Sequence, residues 1–349
     1  MTKMSNIMIT DACNLNCSYC FANEFVNKSK NEISRGAFIR AANFILGDGS
    51  QSSVGLIGGE PTTHPLFEEF IRLLVLDNRA KSIVVYTNGL LIDRYFDILC
   101  NHKVSMLINC NAPEDIGCDK YNHLCENIDY LVNTRLHRDH ITLGINMYKE
   151  DFSYKYIIDM LRRFGFKHVR ISITVPNAND TRNSDAFKYF SGMKPRLLMF
   201  MHEALGNGII PSFDCNKIPS CLLSDQELKQ FDQYLDDAFI KTHIQKSNIQ
   251  SPIVRCSPVI DIRQDLSAVR CFGLSTCTKQ NIEDYRGIAD LREYYINEID
   301  SFAYNTSYST QCKNCFSRKT RKCMGGCLAF KIADIQRVRS FAEKTMQEK

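Results

Sequence analysis

The sequence predicts an α/β fold, a partial (β/α)6 barrel of the TIM type followed by a cysteine-rich region. Between about residues 5 and 175, six short apolar runs alternate with amphipathic segments, and this alternation is typical of a parallel sheet with helical connections. Six strands are too few to close a full barrel. After about residue 180 the alternation is lost and cysteines become frequent, which indicates a second region with a smaller apolar core.

The six predicted strands are runs of apolar and β-branched residues, and they span residues 6–10, 54–57, 82–87, 104–109, 141–147 and 169–174. The first helix between them is expected to begin at Ser34, whose side chain suits an N-cap, and to end at Gly47. A second helix carries an apolar face that starts at Phe67, and a third ends before Gly165. Helices between successive strands are what a parallel sheet requires.

The composition is that of a globular protein, with 44% hydrophobic and 23% charged residues in a chain of 349. A net charge of +4 over this length is too mild to indicate nucleic acid or a membrane as a partner, and we expect neither. The sequence has no apolar run typical of a signal peptide or a membrane span, so the expected location is the cytoplasm. Disulfides are disfavoured there, and the 16 cysteines therefore indicate metal or redox chemistry.

The chain is expected to have three segments. Residues 1–205 form the partial barrel, residues 206–330 form a smaller cysteine-rich domain, and residues 331–349 form a charged helical tail. The middle segment has many turn-forming residues and few long periodic stretches. We therefore expect bound metal, rather than a large apolar core, to stabilise it.

Polar and sulfur-bearing residues follow the predicted strands, at the sheet edge where parallel α/β proteins place their functional residues. Three cysteines follow the first strand in the stretch DACNLNCSYC, and the sequence GGEP follows the second strand. Asparagines stand at or near the ends of the next three strands. We expect one site built from Cys13, Cys17, Cys20, Gly58, Gly59, Glu60, Pro61, Asn88, Asn109, Asn111 and Asn146.

The spacing of the three cysteines, four and then three residues apart, fits a four-iron, four-sulfur (4Fe–4S) cluster. Three thiolates can bind three of the iron atoms and leave the fourth open to another ligand. The alternative is a zinc site completed by a distant cysteine or histidine. The GGEP sequence favours the cluster, because Gly58 and Gly59 let backbone approach a small ligand and Glu60 offers a carboxylate to an ammonium group.

Together these motifs resemble those of radical S-adenosylmethionine (SAM) enzymes. The resemblance lies in Cys13-x3-Cys17-x2-Cys20, with the aromatic Tyr19 before the last cysteine, and in GGEP, and it covers about residues 5–200. It implies that SAM binds the open iron through its amino and carboxylate groups. It also implies that an external reductant of the flavodoxin or ferredoxin type supplies one electron, which splits SAM into methionine and a 5′-deoxyadenosyl radical that abstracts hydrogen from the substrate.

The resemblance also assigns roles to individual residues. The three cysteines bind iron, Gly59 and Glu60 meet the methionyl amine, and Asn109 meets the carboxylate or the ribose. Asn146 is a second candidate for the ribose. For both asparagines the alternative is a hydrogen bond to a neighbouring loop. The cofactor-binding set is Tyr19, Gly58, Gly59, Glu60, Pro61, Asn88, Asn109 and Asn146.

A second group of cysteines lies near the other end of the chain. The stretch CKNCFSRKTRKCMGGC places four of them within residues 312–327, and Cys256 and Cys271 lie upstream with fourteen residues between them. This pattern is similar to the SPASM extension of radical SAM enzymes, which holds two auxiliary 4Fe–4S clusters. The sequence departs from it in three ways: the second spacing is seven rather than five, no cysteine follows Cys327, and Leu266 stands where the hairpin usually has glycine.

Two upstream cysteines are expected to supply the missing ligand, which gives eight candidates: Cys215, Cys221, Cys256, Cys271, Cys312, Cys315, Cys323 and Cys327. One division follows the crossing pattern of the family and combines Cys221, Cys256, Cys271 and Cys327. It leaves Cys312, Cys315 and Cys323 for the other cluster, with Cys215 or an open iron completing it. The other division takes the eight in sequence order. A zinc ribbon at residues 312–327, or a single cluster with spare thiols, are the remaining alternatives.

Two further features of this region are open to more than one interpretation. Cys277 is a substitute ligand, an exposed thiol that donates a hydrogen atom, or an ordinary free cysteine. The basic run at residues 318–322 is a solvated face, or it offsets the negative charge of thiolate-bound clusters or binds an acidic peptide.

The resemblance implies an enzyme that matures a ribosomally synthesised peptide by a cross-link, a thioether or an epimerisation. Many such maturases carry a leader-binding domain before the barrel, whereas here the first strand begins within ten residues of the start. A leader is therefore expected to be recognised by the C-terminal region or by a separate leader-binding protein. The alternatives are a dehydrogenase of a small molecule or of a protein side chain, as in sulfatase maturases, and a non-catalytic iron–sulfur or zinc scaffold.

Overall fold

The computed structural model describes residues 4–20, 22, 25–174, 186–215, 220–227, 256–275, 278–301, 312–320, 323 and 327–331. Ten strands share one sheet: β1 (Ser5–Met8), β2 (Ser53–Ile57), β3 (Ser82–Thr87), β4 (Val104–Asn109), β5 (Ile141–Met147), β6 (His168–Ile173), β7 (Ile210–Cys215), β8 (Asp261–Ile262), β9 (Ser267–Val269) and β10 (Gln280–Asn281). Their order in the sheet is β10-β9-β8-β1-β2-β3-β4-β5-β6-β7.

Nine α-helices are found in the described part of the chain. They are α1 (Arg35–Leu46), α2 (Phe67–Leu76), α3 (Phe96–Leu99), α4 (Pro113–Ile116), α5 (Cys118–Asp129), α6 (Lys155–Phe164), α7 (Ala186–Gly206), α8 (Ile288–Tyr294) and α9 (Phe316–Lys319). A π-helical segment, Tyr295–Asp300, continues α8. No helix among the described residues is long and apolar enough to cross a membrane.

The predicted partial barrel is confirmed. Strands β1 to β6 lie side by side and parallel in sequence order, and their bounds differ from the predicted ones by no more than two residues. Strand β7 extends the parallel run beyond β6, and β8 pairs parallel with the other side of β1. The sheet is therefore an open one, and the carboxyl ends of its parallel strands share one edge.

The predicted helix ends are also confirmed at the positions where the sequence supplied a capping residue. The Ser34 hydroxyl accepts a hydrogen bond from the backbone N–H of Ala37 over 3.2 Å, and Gly47 caps the other end of α1. Helix α6 ends at Gly165, which adopts a left-handed conformation with φ of 73°. Phe38 of α1 stacks on Phe70 of α2 with ring centroids 4.0 Å apart, so the helices on this face pack against each other as well as on the sheet.

Helix α7 is the largest feature that the sequence did not predict. Its 21 residues include Gly192 and Pro195, which weaken or break an isolated helix. Tertiary packing explains the helix, because its apolar side is buried. A Cβ at position 192 would meet the end of the flexible Glu150 side chain, with Oε1 2.0 Å away, which can move aside. A signal was present in the sequence, since Phe187, Phe190 and other apolar residues recur at helical spacing and are buried.

The sheet continues past the predicted domain boundary at residue 205. Strand β7 lies at the edge of the sheet, where Pro211 is tolerated because it need not donate to a further strand. Strands β8 and β9 form the hairpin predicted between Cys256 and Cys271. Leu266, at the position expected to carry glycine, has φ of 61°, a conformation that costs a branched side chain energy. The boundary itself stays a prediction, and most of the predicted tail lies outside the described residues.

Candidate functional site

The three N-terminal cysteines lie on the loop that follows β1, at the carboxyl edge of the sheet. All three are half-buried. Burial, with smaller contributions from the nearby charges of Glu60, Cys17 and Cys20, raises the pKa of the Cys13 thiol to about 12. The three thiols therefore lie close enough to interact, and in the absence of bound cations they are neutral at physiological pH.

The GGEP segment is joined to the cysteine loop by backbone hydrogen bonds. The N–H of Gly59 donates to the carbonyl of Thr10, and the N–H of Glu60 donates to the carbonyl of Ala12, each over 2.8 Å. The approach is so close that a Cβ on Gly58 would lie 2.6 Å from the Thr10 oxygen, and one on Gly59 would lie 2.3 Å from the Ala12 oxygen. Both glycines are thus required by packing between the two loops.

The Glu60 carboxylate is buried in a set of hydrogen bonds from its own chain. Its Oε1 accepts from the hydroxyls of Thr62 and Thr87 over 2.6 and 2.7 Å, and its Oε2 accepts from the N–H of Asn88 over 2.7 Å. Burial raises the pKa of Glu60, and these donors act against that shift. Glu60 therefore connects the loops after β2 and β3, a structural role that the sequence did not predict beside the expected contact with an amine.

Tyr19 connects the cysteine loop to the loop after β4. Its hydroxyl donates to Oδ1 of Asn111 over 2.9 Å, and Nδ2 of Asn111 lies 3.6 Å from the Cys17 sulfur. The Tyr19 ring stacks on Tyr148 with centroids 4.0 Å apart, and the Tyr148 hydroxyl donates to Asp115 over 2.7 Å. Asn111, one of the asparagines expected at the strand ends, is consequently a polar contact to the predicted iron ligand Cys17.

The predicted asparagines lie at the same edge, and two of them share a partner that was not predicted. Nη1 of Arg170, on β6, donates to Oδ1 of Asn146 over 2.9 Å and to Oδ1 of Asn109 over 3.2 Å. Nδ2 of Asn88 donates to Oδ1 of Asn14, within the cysteine loop, over 2.7 Å. The signal for Arg170 was its place in the run VRISIT, where a long cation stands between two apolar residues of a strand.

The hairpin cysteines Cys256 and Cys271 both lie beside the buried cation of Arg270. Nη1 of Arg270 is 3.4 Å from the Cys256 sulfur and 4.0 Å from the Cys271 sulfur. The short turn Leu328–Lys331, which directly follows Cys327, packs against the turn Phe272–Leu274, which directly follows Cys271. The sequence around Cys327 is thus near the hairpin rather than remote from it.

Cys221 belongs to the other group of C-terminal cysteines. Partial burial, with smaller contributions from the neighbouring thiols of Cys312, Cys323 and Cys315, raises the pKa of its thiol to about 11. Nη1 of Arg318, from the basic run, donates to the carbonyl of Cys323 over 3.3 Å and is buried there. These neighbours favour grouping Cys221 with Cys312, Cys315 and Cys323 over the division that combines it with Cys256 and Cys271. The side chain of Cys215, and the whole of Cys277, lie outside the described residues.

The described cysteine, histidine and acidic side chains can be compared with what a single metal ion and a 4Fe–4S cluster each require. In the described part of the chain, no three histidine, cysteine or acidic side chains are arranged to hold a single metal ion. A 4Fe–4S cluster is a different case, because each cysteine binds a different iron atom. Three neighbouring half-buried thiols after β1, with an amide donor at Cys17, fit such a cluster.

Two of the similar solved structures are of SuiB from Streptococcus suis. The one bound to precursor peptide SuiA has a TM-score of 0.60 at 16% identity and covers 94% of this chain and 72% of its own. The one bound to S-adenosylmethionine has a TM-score of 0.59 at 14% identity and covers 94% and 73%. At these identities the likeness is one of fold.

Curated relatives are similar to a smaller part of the chain. A GTP 3′,8-cyclase of Alkaliphilus oremlandii is 32% identical over 123 residues, which are 34% of this chain and 37% of that protein. Another, from Chlorobaculum tepidum, is 29% identical over 93 residues, 27% of this chain and 28% of that protein. The chain thus spans about a third of the length of the curated relatives it matches.

The family comparison covers the barrel. The model of the radical SAM superfamily matches residues 7–188, just over half of the 349 residues. That segment begins within β1 and contains the cysteine loop, the GGEP segment and strands β2 to β6. The chain therefore belongs to the radical SAM superfamily, a family of enzymes that use a 4Fe–4S cluster and S-adenosylmethionine.

Proposed function

We propose that this radical SAM enzyme modifies a ribosomally synthesised peptide, by forming a cross-link or thioether or by epimerising a residue. The observation that carries the proposal is the extent of the likeness to SuiB, a protein solved with its precursor peptide, since that likeness covers 94% of this chain. The similarity to the curated relatives covers about a third of the chain. A fold shared beyond the barrel supports a shared kind of substrate, although fold by itself does not fix function.

In the proposed site, Cys13, Cys17 and Cys20 hold the iron–sulfur cluster, and the GGEP segment and Asn109 bind SAM. When bound, the cluster supplies the electron that cleaves SAM reductively. The residues of this chain bind and orient. The hydrogen bonds from Gly59 and Glu60 hold the GGEP segment against the cysteine loop, and a segment held in this way would help to orient SAM when it is bound.

The cation of Arg170 extends this assignment. It lies between Asn109 and Asn146 at the carboxyl edge of the sheet. A guanidinium in that position can form bidentate hydrogen bonds with a carboxylate of SAM or of a peptide. The asparagines then orient the cation as well as contacting the cofactor.

The C-terminal cysteines are proposed to bind two auxiliary clusters. The neighbours of Cys221 favour one cluster held by four thiolates, Cys221, Cys312, Cys315 and Cys323. In this division the upstream Cys221 replaces the ligand that is missing after Cys327. The second cluster is then held by Cys256, Cys271 and Cys327, with Cys215 or an open iron as the fourth position. An external one-electron reductant and, for a leader peptide, a separate binding protein remain proposed partners.

A small-molecule substrate is the second candidate function. The observation that favours it is the similarity to GTP 3′,8-cyclases, which act on a nucleotide as their name states. Oxidation of a small alcohol or of a protein side chain belongs to the same class of alternative, since it needs no peptide leader.

The experiment is an anaerobic reaction of the reconstituted enzyme with SAM and dithionite, with either a peptide encoded beside the gene or GTP added. Release of 5′-deoxyadenosine that is absent from Cys13→Ala establishes radical chemistry. A peptide product lighter by two hydrogens indicates a cross-link or oxidation, and deuterium uptake from heavy water without that loss indicates epimerisation. Consumption of GTP with an unchanged peptide would instead support the nucleotide candidate.

A further inference from the structure

Arg270 is a large, fully buried cation in the hairpin region, with an exposed fraction of 0%. It directly precedes Cys271 and follows β9. Its Nη1 is 3.4 Å from the Cys256 sulfur and 4.0 Å from the Cys271 sulfur, and its Nη2 donates to the carbonyl of Cys256 over 2.8 Å. One guanidinium therefore contacts both hairpin cysteines at once.

The other side of the guanidinium is paired with an acid. Nε of Arg270 donates to Oδ1 of Asp300, at the end of the π-helical segment Tyr295–Asp300, in a buried ion pair. Only 9% of the Asp300 side chain is exposed. A buried guanidinium without a counter-charge would be strongly unfavourable, and Asp300 offsets part of that cost.

The two charges of the Arg270–Asp300 pair differ in how they contact the sulfurs. The cation contacts the sulfurs directly, whereas the described contact of Asp300 is with the far edge of the guanidinium. Charges in a buried site interact strongly because little water screens them. Hydrogen bonds to cysteine sulfurs and the net charge around an iron–sulfur cluster are two of the properties that set its reduction potential.

We propose that the charge of Arg270 raises the reduction potential of the cluster on Cys256 and Cys271, and that the charge of Asp300 weakens this effect. The inference rests on the proposed auxiliary cluster at these cysteines. Reduction adds one electron from the reductant to the cluster and makes its charge more negative by one unit, and no bond forms or breaks. A cation beside two of the ligand sulfurs stabilises that reduced state, and an acid behind the cation weakens the stabilisation.

A purely structural role makes a different prediction. If Arg270 only fixed the hairpin, then removing either partner of the ion pair would disturb the cluster in the same way. If it sets the potential, the two removals have opposite effects. Arg270→Gln leaves Asp300 uncompensated and lowers the potential, whereas Asp300→Asn leaves the cation uncompensated and raises it. Arg270→Lys keeps the charge and loses the planar fork, so it falls between Arg270→Gln and the wild type.

The test is a redox titration of the full reconstituted chain with dithionite, followed by electron paramagnetic resonance. The N-terminal cluster is recognised because its signal changes when SAM is added, and the remaining signals belong to the auxiliary clusters. The matched controls are Arg79→Gln and Asp77→Asn, which break a partly exposed pair of the same type before β3. We expect one auxiliary signal to shift in opposite directions in the two Arg270–Asp300 variants and to stay unchanged in both controls.

Two results would overturn the inference: shifts in the same direction, or no shift in Asp300→Asn. If Arg270→Gln fails to fold, the nearly isosteric Asp300→Asn still decides, because only the proposal requires its potential to rise. Iron analysis of the wild type distinguishes this failure from failure of the proposed clusters. A wild type with about four iron atoms per chain, and with no signal besides the SAM-responsive one, would show that the auxiliary clusters are absent.

Discussion

Gln264 donates a hydrogen bond from Nε2 to Oδ1 of Asp11 over 2.8 Å, although the two residues are 253 positions apart in the sequence. Asp11 is fully buried and lies two residues before Cys13. Gln264 lies in the turn between β8 and β9. A single carboxylate thus connects the N-terminal cysteine loop to the hairpin that carries the candidate auxiliary ligands.

Removing this connection is expected to destabilise the folded chain. Gln264→Ala leaves one oxygen of a buried carboxylate without its amide donor, and we expect a loss of about 1–3 kcal/mol in the free energy of unfolding. The control is Asn133→Ala, which removes an exposed amide–carboxylate hydrogen bond to Asp129 of 3.0 Å. Urea unfolding measures both. Equal effects in the two variants would mean that the Asp11 contact has no special importance.

The close contact at Gly59 predicts a contrast between two glycine substitutions. Gly59→Ala places a Cβ 2.3 Å from the Ala12 oxygen, so the GGEP segment must move, at a cost of about 1–3 kcal/mol. Gly36→Ala, in the first turn of α1, meets no atom within 4 Å and should stabilise the chain by up to about 1 kcal/mol. Thermal unfolding and SAM binding by calorimetry check both. Normal SAM affinity in Gly59→Ala would contradict the packing argument.

Glu60→Gln tests the carboxylate that joins the loops after β2 and β3. Both carboxylate oxygens of Glu60 accept hydrogen bonds from neighbouring donors. Glu60→Gln replaces one of these oxygens with an NH₂ group, which then faces at least one donor. We expect a loss of about 1–3 kcal/mol in the free energy of unfolding. Glu69→Gln, which alters an exposed pair with Arg35, should change stability by less than about 1 kcal/mol. The idea fails if urea midpoints of the two variants coincide.

The grouping of Cys221 with the C-terminal cysteines predicts which cluster it serves. Cys221→Ser should cost about four iron atoms per chain, or convert that cluster to a partly ligated form, while the SAM-responsive signal is retained. Cys118→Ser is the control, since Cys118 is an exposed cysteine outside the proposed ligand sets. Iron and sulfide analysis after reconstitution provides the measurement. Full iron content in Cys221→Ser would favour another division of the ligands.

Asn109→Ala separates the two interpretations of the asparagines at the sheet edge. If Asn109 binds SAM, loss of one polar contact should weaken binding by about tenfold, equivalent to about 1.4 kcal/mol. If it only orients Arg170, thermal stability should fall with little change in SAM affinity. Calorimetric titration of the reconstituted enzyme with SAM distinguishes them. Asn207→Ala, on an exposed loop after α7, serves as the control.

The barrel was predictable because its signals are local. Ser34 and Gly165 end their helices through contacts with residues a few positions away, and the strands β1 to β6 are short runs rich in apolar and β-branched residues. Helix α7 was not, because Gly192 and Pro195 are unfavourable in an isolated helix, and it is burial of the helix's apolar side that compensates for them.

The sequence indicated the residues of the candidate site but not the contacts that hold them in place. Spacing and motif identified the cysteines and the GGEP segment, which lie on consecutive loops. The contacts of Arg270 with Asp300, and of Asp11 with Gln264, join segments 30 and 253 residues apart. No periodicity or spacing encodes such pairs, and only the folded sheet brings them together.

The pairing of β8 with β1 has a consequence for any attempt to dissect the protein. Asn6 of β1 donates from its side chain to Asp261 of β8 over 2.7 Å, in a buried contact. A fragment that stopped at residue 205 would lack β8 and would expose the backbone donors and acceptors of β1 as a bare sheet edge, which invites self-association. Expression of the barrel as a separate piece should therefore give oligomers or inclusion bodies rather than a smaller working catalyst.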